Sequence, residues 1–206
     1  MRPLYIALEG IEGCGKTTQA ALLAKWLGSP TILTREPGGT DIGQQVRQIV
    51  LHRPGQVDPM CEALLFAADR SQHIAEVVKP ALDQGRNVVS DRSLWSSIAY
   101  QGFGRELNVD ALYRINGVAV DGVFPTLVFE LEINLATMKQ RMGDRQHDRI
   151  EKTGDAFFER VINGFVKMRS WADCERWINV DATQSQDFVF TEMCKYIEAF
   201  VAKWWS

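Results

Sequence analysis

The sequence predicts an α/β domain in which helices cover both faces of a five-stranded parallel sheet. Five short apolar runs bounded by turn residues alternate with segments long enough to form helices. The runs are rich in Val, Ile, Leu and Phe, which is typical of strands buried on both faces. Polar clusters follow three of these runs, at the sheet edge where ligands of such folds bind. We therefore expect one cleft along that edge.

The five apolar runs predict the strands in order along the chain: Leu4–Leu8, Thr31–Thr34, Asn87–Ser90, Thr126–Leu131 and Trp177–Val180. The length of 206 residues suits one domain, 1–206, with a sizeable core. Near the C-terminus, apolar residues between Asp187 and Trp205 recur at helical spacing, which predicts a helix packed on the core.

Residues 141–152, here called the lid, form the least apolar stretch of the chain. The segment is dense in charge and contains Gly143, a residue that weakens a helix. Such a segment has few apolar side chains to bury, so we predict that it is a mobile flap over the cleft.

Residues 10–17 read G-x-x-x-x-G-K-T between the first predicted strand and a helical stretch. This is the pattern of a phosphate-binding loop, whose backbone amides and following helix surround a polyphosphate. Lys16 would reach the outer phosphates, and the Thr17 hydroxyl would ligate Mg²⁺. The residues assigned to the nucleotide are Gly10, Ile11, Glu12, Gly13, Cys14, Gly15, Lys16, Thr17 and Thr18.

Net charge and cysteine usage limit the possible partners. The formal net charge is −3, so the chain has no general attraction for a nucleic acid polymer or an anionic membrane surface. A small phosphorylated ligand held by local clusters is favoured instead. The first apolar run is short and broken by Glu9, unlike a secretory signal or membrane anchor, so we expect a cytoplasmic protein.

The cysteines predict neither a zinc site nor a disulfide framework, because they show no C-x-x-C pair. The four are Cys14, Cys61, Cys174 and Cys194.

A phosphoryl acceptor that is itself a nucleotide needs a second anion site, and arginines could form one. Arg35 and Arg92 follow predicted strands, and Arg70 lies in a predicted helix. A guanidinium group suits phosphate oxygens, although each arginine alone could be a surface ion pair. Asp91 at a strand end could bind a metal, orient a water or pair with Arg92.

Six blocks along the chain together resemble the ordered signature of bacterial thymidylate kinases: residues 9–18, 34–40, 66–70, 91–93, 99–102 and 148–151. The blocks T-R-E-P-G-G-T and D-R-S…A-Y-Q-G are specific to that family in a way that the phosphate loop is not. The resemblance implies a P-loop nucleoside monophosphate kinase fold and transfer of the γ-phosphoryl group of ATP to dTMP, which gives dTDP. It also implies Mg²⁺ as cofactor and a homodimer.

The same resemblance assigns the acceptor site. Arg70 and Arg92 would hold the phosphate of dTMP, and Arg70 would also approach the base. Phe66 would stack on thymine, and Ser97 and Gln101 would meet its polar edge. Phe66 lies in an apolar run, so it could equally be a core residue.

Further roles follow from the family pattern. Tyr100 would pack under the sugar where a ribose carries its 2′-hydroxyl, which favours deoxyribose. Glu9 and Glu12 would orient the acceptor phosphate and metal waters, although Glu12 could be a solvated loop residue. Asp91 would share Mg²⁺ with Thr17.

A sharp turn is predicted at Glu36-Pro37-Gly38-Gly39, after the second strand. We assign Arg35, Glu36 and Pro37 to the acceptor side of the cleft. Glu36 would meet the sugar or the metal waters, with a purely structural turn as the alternative. The Glu36-Pro37 peptide could be cis or trans.

The lid should supply the catalytic cation, because Gly13 and Cys14 stand where some thymidylate kinases carry an arginine in the phosphate loop. Arg141, Arg145 and Arg149 are four residues apart and would share one face if the lid were helical. Arg149 matches the D-R-x-E motif and is our first choice for stabilising the transition state, with Arg145 second. A solvated charged loop is the alternative.

Two other classes of protein remain possible on the sequence alone. One is a different small nucleotide or nucleoside kinase with a similar cleft, including another deoxynucleoside monophosphate kinase. The other is a nucleotide-dependent switch, which should carry a guanine-reading N-K-x-D motif that this sequence lacks. The number and order of the motifs favour the thymidylate kinase interpretation.

Overall fold

The structure is a computed structural model that describes residues 2–28, 30–171 and 176–204. Within these ranges, five parallel strands form one sheet in the order β2-β3-β1-β4-β5. The strands are β1 Tyr5–Glu9, β2 Thr31–Arg35, β3 Asn87–Asp91, β4 Leu127–Glu132 and β5 Trp177–Asp181. The predicted fold class is confirmed.

Each strand ends one residue later than the apolar run that predicted it, and that last residue is polar: Glu9, Arg35, Asp91, Glu132 and Asp181. These residues still pair in the sheet, as in the registers of Arg35 with Asp91 and of Glu132 with Asp181. A search for apolar runs misses these positions, because the backbone of each residue pairs in the sheet although its side chain is polar and lies at the sheet edge. The carboxyl edge of the sheet is thereby lined with charge.

Nine α-helices are described: α1 Lys16–Leu27, α2 Asp41–Arg47, α3 Pro59–His73, α4 Lys79–Asp83, α5 Leu94–Ser97, α6 Val109–Val120, α7 Leu135–Met142, α8 Asp155–Arg169 and α9 Gln186–Trp204. Wider π-helical turns continue from α2, α3 and α5 over Gln48–His52, Ile74–Val78 and Ile98–Gly104. The last of these segments, Ile98–Gly104, packs against α8 and carries two of the predicted site residues.

Helices cover both faces of the sheet. In β1, Ile6 and Leu8 belong to the main apolar core, whereas Tyr5, which points to the opposite face, packs with Ile74 and Val78. Alternate side chains of one strand are thus buried on opposite sides. The strand that carries the phosphate loop is consequently fixed from both faces.

The predicted C-terminal helix is confirmed as α9, which buries Val189, Met193, Ile197 and Phe200. Trp205, which the prediction included, lies outside the described residues, as does Cys174. The described cysteines are free thiols: Cys14, Cys61 and Cys194. Across the described ranges, no helix is both long enough and apolar enough to cross a membrane.

The lid begins on a helix and leaves it. Helix α7 ends at Met142, and Gly143 follows with φ 54°. The chain then runs without regular structure to a 3₁₀ turn at Glu151–Thr153. Arg141 is therefore helical, whereas Arg145 and Arg149 lie beyond the end of the helix. Because the lid is not helical throughout, the three arginines do not share one helical face.

We predict that Gly164→Ala destabilises the protein, because a Cβ at Gly164 on α8 would lie 2.6 Å from the ring of Phe103. Overpacking of this kind costs about 1–3 kcal/mol. Gly117→Ala on α6 is the matched control, since a Cβ there meets no atom within 4 Å. The control should gain about 0.5–1 kcal/mol from helix propensity. Urea unfolding of both variants measures the difference, and a Gly164→Ala variant as stable as the control would contradict the packing.

Candidate active site

A cleft of about 680 Å³ opens along the carboxyl edge of the sheet. Its walls come from the phosphate loop, the ends of β2 and β3, helix α3, the segment Ile98–Gly104 and the lid. The predicted site residues that line it are Glu12, Gly13, Gly15, Lys16, Thr17, Thr18, Arg35, Glu36, Pro37, Phe66, Arg70, Asp91, Arg92, Ser97, Tyr100, Gln101 and Arg145. Residues separated by more than a hundred positions in the sequence thus share one cavity.

The phosphate loop owes its shape to glycine. Gly10, Gly13 and Gly15 have φ of 132°, 74° and 95°, in the region that other residues avoid. At Gly10 a Cβ would also lie 2.5 Å from the Leu131 carbonyl oxygen of the neighbouring strand. Helix α1 starts at Lys16, directly after the loop, so its free amides face the same space. The loop is built to surround an anion.

Lys16 lies over the loop. Its Nζ donates to the carbonyl oxygens of Gly10 at 2.9 Å and Ile11 at 2.8 Å, and lies 3.4 Å from Cys14 Sγ. Cys14 is a small buried residue beneath the ammonium group. Gly10, Ile11 and Cys14 therefore shape the loop from behind rather than line the cleft.

Thr17 and Asp91 meet at the floor of the cleft, where Thr17 Oγ1 donates to Asp91 Oδ2 at 2.5 Å. Two adjacent oxygen ligands fit Mg²⁺, which usually takes one or two protein oxygens and completes its shell with phosphates and water. In the described part of the chain, no group of three or more His, Cys, Asp or Glu could hold a metal by itself. The donor set suits a metal that enters with its nucleotide.

Arg92 joins the phosphate loop to the rest of the cleft. Its guanidinium donates to the Gly10 carbonyl oxygen at 3.2 Å, to Ser96 Oγ at 3.0 Å, to Glu12 Oε1 at 2.8 Å and to the Tyr100 hydroxyl at 3.2 Å. Burial opposes its charge, but Tyr100 and Glu12 raise the pKa of Arg92 well above its usual value. Its φ of 78° is unusual for a non-glycine residue and is held by these contacts.

Glu12 and Tyr100 complete this cluster. The Tyr100 hydroxyl donates toward both carboxylate oxygens of Glu12, at 2.9 and 2.8 Å. The Arg92 guanidinium lies over the Tyr100 ring, 4.8 Å from its centre, while Phe157 and Phe165 pack edge-on against the same ring. Since the Glu12 side chain is only 13% exposed, these contacts favour a site role over a solvated loop position.

Glu9 lies behind the cleft. Its carboxylate accepts hydrogen bonds from Ser93 N at 2.8 Å, Ser93 Oγ at 2.7 Å and Ser96 Oγ at 2.5 Å. Burial raises the pKa of Glu9, although these hydrogen bonds oppose the shift. Its contacts thus hold the turn after β3, which carries Arg92, rather than reach into the cavity.

Sequence reasoning missed Arg47, which approaches from α2 and lines the cleft beside Arg35 and Arg92. Its Nη1 donates to the Pro37 carbonyl oxygen at 2.9 Å. Burial and the like charges of Arg35 and Arg92 lower the pKa of Arg47. Three converging guanidinium groups form a basic cluster suited to a phosphate. Nothing in the local sequence separates Arg47 from an ordinary helical surface arginine.

Arg70 is buried and held by several partners at once. Its Nε donates to Glu36 Oε2 at 2.8 Å, Nη1 to Ser97 Oγ at 3.1 Å and to Asn116 Oδ1, and Nη2 to the Ser93 carbonyl oxygen at 3.0 Å. Such a guanidinium has little freedom to move. Arg70 thus presents a fixed donor at the cleft wall.

Glu36 braces Arg70. Its other oxygen contacts His73 Nδ1 at 2.9 Å, and His73 Nε2 lies 2.7 Å from Thr34 Oγ1. Burial alone would raise the pKa of Glu36, but Arg70 and His73 lower it. The Glu36-Pro37 peptide is cis. These contacts give Glu36 a structural function within the cleft wall.

Phe66 and Gln101, the residues predicted to meet the base, both line the cleft, and their part of it is here called the base end. Phe66 is half-buried, so its ring lines the cleft while packing on the core, which reconciles the two sequence interpretations. Gln101 is 1% exposed, and its Nε2 donates to Glu62 Oε1 at 3.0 Å. An aromatic face and a polar amide therefore stand together there.

Arg149 points away from the cleft. Its Nη2 pairs with Glu62 Oε2 at 2.5 Å, and its Nε and backbone N donate to the carbonyl oxygens of Val50 and Leu51 at 2.9 and 3.0 Å. These contacts fasten the end of the lid to the body of the protein. Arg149 is accordingly an anchor in this structure.

The other two lid arginines line the cleft. Arg145 pairs with Glu151 across the lid. Arg141 donates to the Gly13 carbonyl oxygen at 3.2 Å, against the phosphate loop. Arg141 therefore lies against the phosphate loop, whereas Arg145 is held within the lid.

A phosphate loop and an adjoining basic cluster in one cleft, on a parallel sheet, define a P-loop nucleoside monophosphate kinase. Comparison with known proteins gives the particular family. The thymidylate kinase family model matches residues 8–193, so this chain belongs to the thymidylate kinase family.

Individual relatives agree with the family match. The chain is 44% identical to a thymidylate kinase of Prochlorococcus marinus (strain MIT 9303) over 193 residues, covering 87% of this chain and 89% of the relative. It is 46% identical to one of Synechococcus sp. (strain CC9311) over 187 residues, covering 86% and 87%. The crystal structure of thymidylate kinase from Ehrlichia chaffeensis superposes with a TM-score of 0.78 at 30% identity and covers 96% of this chain and 99% of that one.

We predict that Glu36→Gln lowers the free energy of unfolding by about 3–5 kcal/mol at pH 7, because a buried guanidinium loses its charged partner. Since the folded-state pKa of Glu36 is lowered, this stabilisation is present above the unfolded-state value of about 4.3 and is lost as the pH falls through the folded-state value. Urea unfolding between pH 3 and pH 7 measures it.

The control for that experiment is Glu159→Gln, on the exposed face of α8. It should change the free energy of unfolding by less than about 0.5 kcal/mol at every pH. If Glu36→Gln is no less stable than this control at pH 7, the buried pair does not contribute as described.

Proposed function

We propose that this chain transfers the γ-phosphoryl group of ATP to dTMP, giving dTDP for DNA precursor synthesis, with Mg²⁺ as cofactor. One observation carries the proposal: the phosphate loop and the arginine cluster face each other within a single cleft. Two anionic nucleotides can then lie end to end, which brings the reacting phosphates together. The family resemblance extends the proposal to a cytoplasmic homodimer.

The donor end would bind ATP. The loop amides surround its phosphates, and Lys16 exchanges its carbonyl partners for the outer phosphate oxygens. Thr17 and Asp91 would hold Mg²⁺, which neutralises phosphate charge when bound.

The acceptor end would bind dTMP. Arg35, Arg47 and Arg92 present a converging positive surface to its phosphate. Phe66 offers an aromatic face for the pyrimidine, and such stacking is worth about 1–3 kcal/mol. Tyr100, fixed by Glu12, would pack under the sugar and disfavour a 2′-hydroxyl.

Catalysis would rest on positioning and charge. The acceptor phosphate is already ionised near neutral pH, so no general base is required. Lys16 and Arg92 both donate to the Gly10 carbonyl oxygen, so their positive charges converge beside the loop, where the reacting phosphates would lie. Among the lid arginines, the contacts favour Arg145 over our first choice, Arg149, because Arg145 lines the cleft while Arg149 pairs with Glu62.

Substrate choice tests the proposed function directly. Purified protein with ATP and Mg²⁺ is offered dTMP, dUMP, UMP, CMP, AMP and GMP in turn, and ADP release is followed. We expect turnover with dTMP, weaker turnover with dUMP, and little with the others, since the site is built for a pyrimidine deoxynucleotide. Preference for a ribonucleotide would overturn the assignment.

The lid arginines can be separated by their variants. We expect Arg145→Ala to lower kcat by about 10²–10³-fold through loss of one cation at the transferring group. Arg149→Ala should instead lower the free energy of unfolding by about 1–3 kcal/mol, because Glu62 loses a buried partner. Steady-state kinetics and urea unfolding of both variants check this. A loss of turnover confined to Arg149→Ala would restore the sequence-based choice.

A further inference from the structure

Glu62 on α3 is a fully buried carboxylate that lies behind the base end of the cleft. It joins three parts of the chain. Oε1 accepts from Gln101 Nε2 at 3.0 Å and Arg105 Nε at 3.2 Å, while Oε2 accepts from Arg105 Nη2 at 3.2 Å and from Arg149 Nη2. A buried carboxylate with two guanidinium partners carries its negative charge and can only accept hydrogen bonds.

This charge determines how the Gln101 amide is oriented. The amide of a glutamine side chain has an NH₂ group that donates hydrogen bonds and a carbonyl oxygen that accepts them, and the two groups have nearly the same shape. Because Glu62 can only accept, the NH₂ group of Gln101 must point toward Glu62. The amide oxygen, which accepts no hydrogen bond from any described residue, is left for the cleft that Gln101 lines.

We propose that Glu62 is a specificity-determining positioning residue: it fixes Gln101 so that the site reads a pyrimidine carrying a hydrogen-bond donor at N3. Thymine and uracil carry N3–H, whereas cytosine has a lone pair there. If the Gln101 oxygen faces the N3 lone pair of cytosine, two hydrogen-bond acceptors are buried without a donor. A polar site rejects an analogue in this way. The proposal rests on the proposed function, since it concerns the base of the acceptor nucleotide.

The substitution Glu62→Gln should invert the Gln101 amide. A glutamine at 62 has one oxygen, for which Arg105 and Arg149 both compete, and its NH₂ group then needs an acceptor. Gln101 can supply one by turning its oxygen toward position 62, which places its own NH₂ group in the cleft. The inverted amide suits the N3 lone pair of cytosine.

The test compares kcat/KM for dTMP and dCMP in the wild type and in Glu62→Gln. In Glu62→Gln, we expect the ratio of kcat/KM for dTMP to kcat/KM for dCMP to be about tenfold lower than in the wild type. The variant loses one hydrogen bond with dTMP and gains one with dCMP. The matched control is Arg105→Gln, which removes another partner of Glu62 but keeps the bond from Gln101. The control should lose stability and leave the ratio unchanged.

Equal losses for both nucleotides in Glu62→Gln would mean a merely structural role and would overturn the proposal. Failure of the proposed function itself has a different signature, since the wild type would then not prefer dTMP at all.

If Glu62→Gln does not fold, NMR of the wild type tests the orientation of the Gln101 amide instead. The Gln101 side-chain NH₂ protons, assigned by their loss in Gln101→Met, should be protected from solvent exchange and shift little when dTMP is added. Rapid exchange and a large shift with dTMP would place the NH₂ group in the cleft and sink the idea.

Discussion

The guanidinium of Arg92 is the group on which the two halves of the cleft depend. It contacts a carbonyl of the phosphate loop, the carboxylate of Glu12 and the hydroxyl of Tyr100, so donor and acceptor sites are fixed relative to each other. Arg35 and Arg47 lie nearby, and Asp91 and Asp148 offset part of their positive charge. A local group of guanidiniums explains how a net acidic protein can still present a site for an anionic nucleotide.

Three buried carboxylates hold residues around the cleft, and one of them, Glu36, also lines it. Glu9 holds the serines that follow β3, Glu36 holds Arg70, and Glu62 holds Gln101. Each would be costly to bury alone, and each is satisfied by a different kind of partner: hydroxyls, a guanidinium with an imidazole, or two guanidiniums with an amide. Several side chains of the cleft wall are thus restrained by buried charges packed against them.

The sequence predicted the strands and the phosphate loop because both are local patterns, of apolar runs and of glycine spacing. Glu62 and Asn116 gave no local signal, since their partners lie far away along the chain. Arg47 gave none because only the fold brings it beside Arg92 in the cleft. The sequence could not predict either that the Arg149 side chain points away from the cleft, because this depends on the path of the chain after α7 ends at Gly143. Local chemistry was therefore readable from the sequence, whereas the supporting contacts required the three-dimensional arrangement.

The left-handed backbone of Arg92 has an evolutionary consequence. Glycine is the residue that would relax this position, yet glycine carries no guanidinium. A glycine here would also leave the nearly buried Glu12 carboxylate without its guanidinium partner. The strained backbone is therefore retained together with the contacts it makes possible, and directed evolution toward heat tolerance should find its gains elsewhere in the chain.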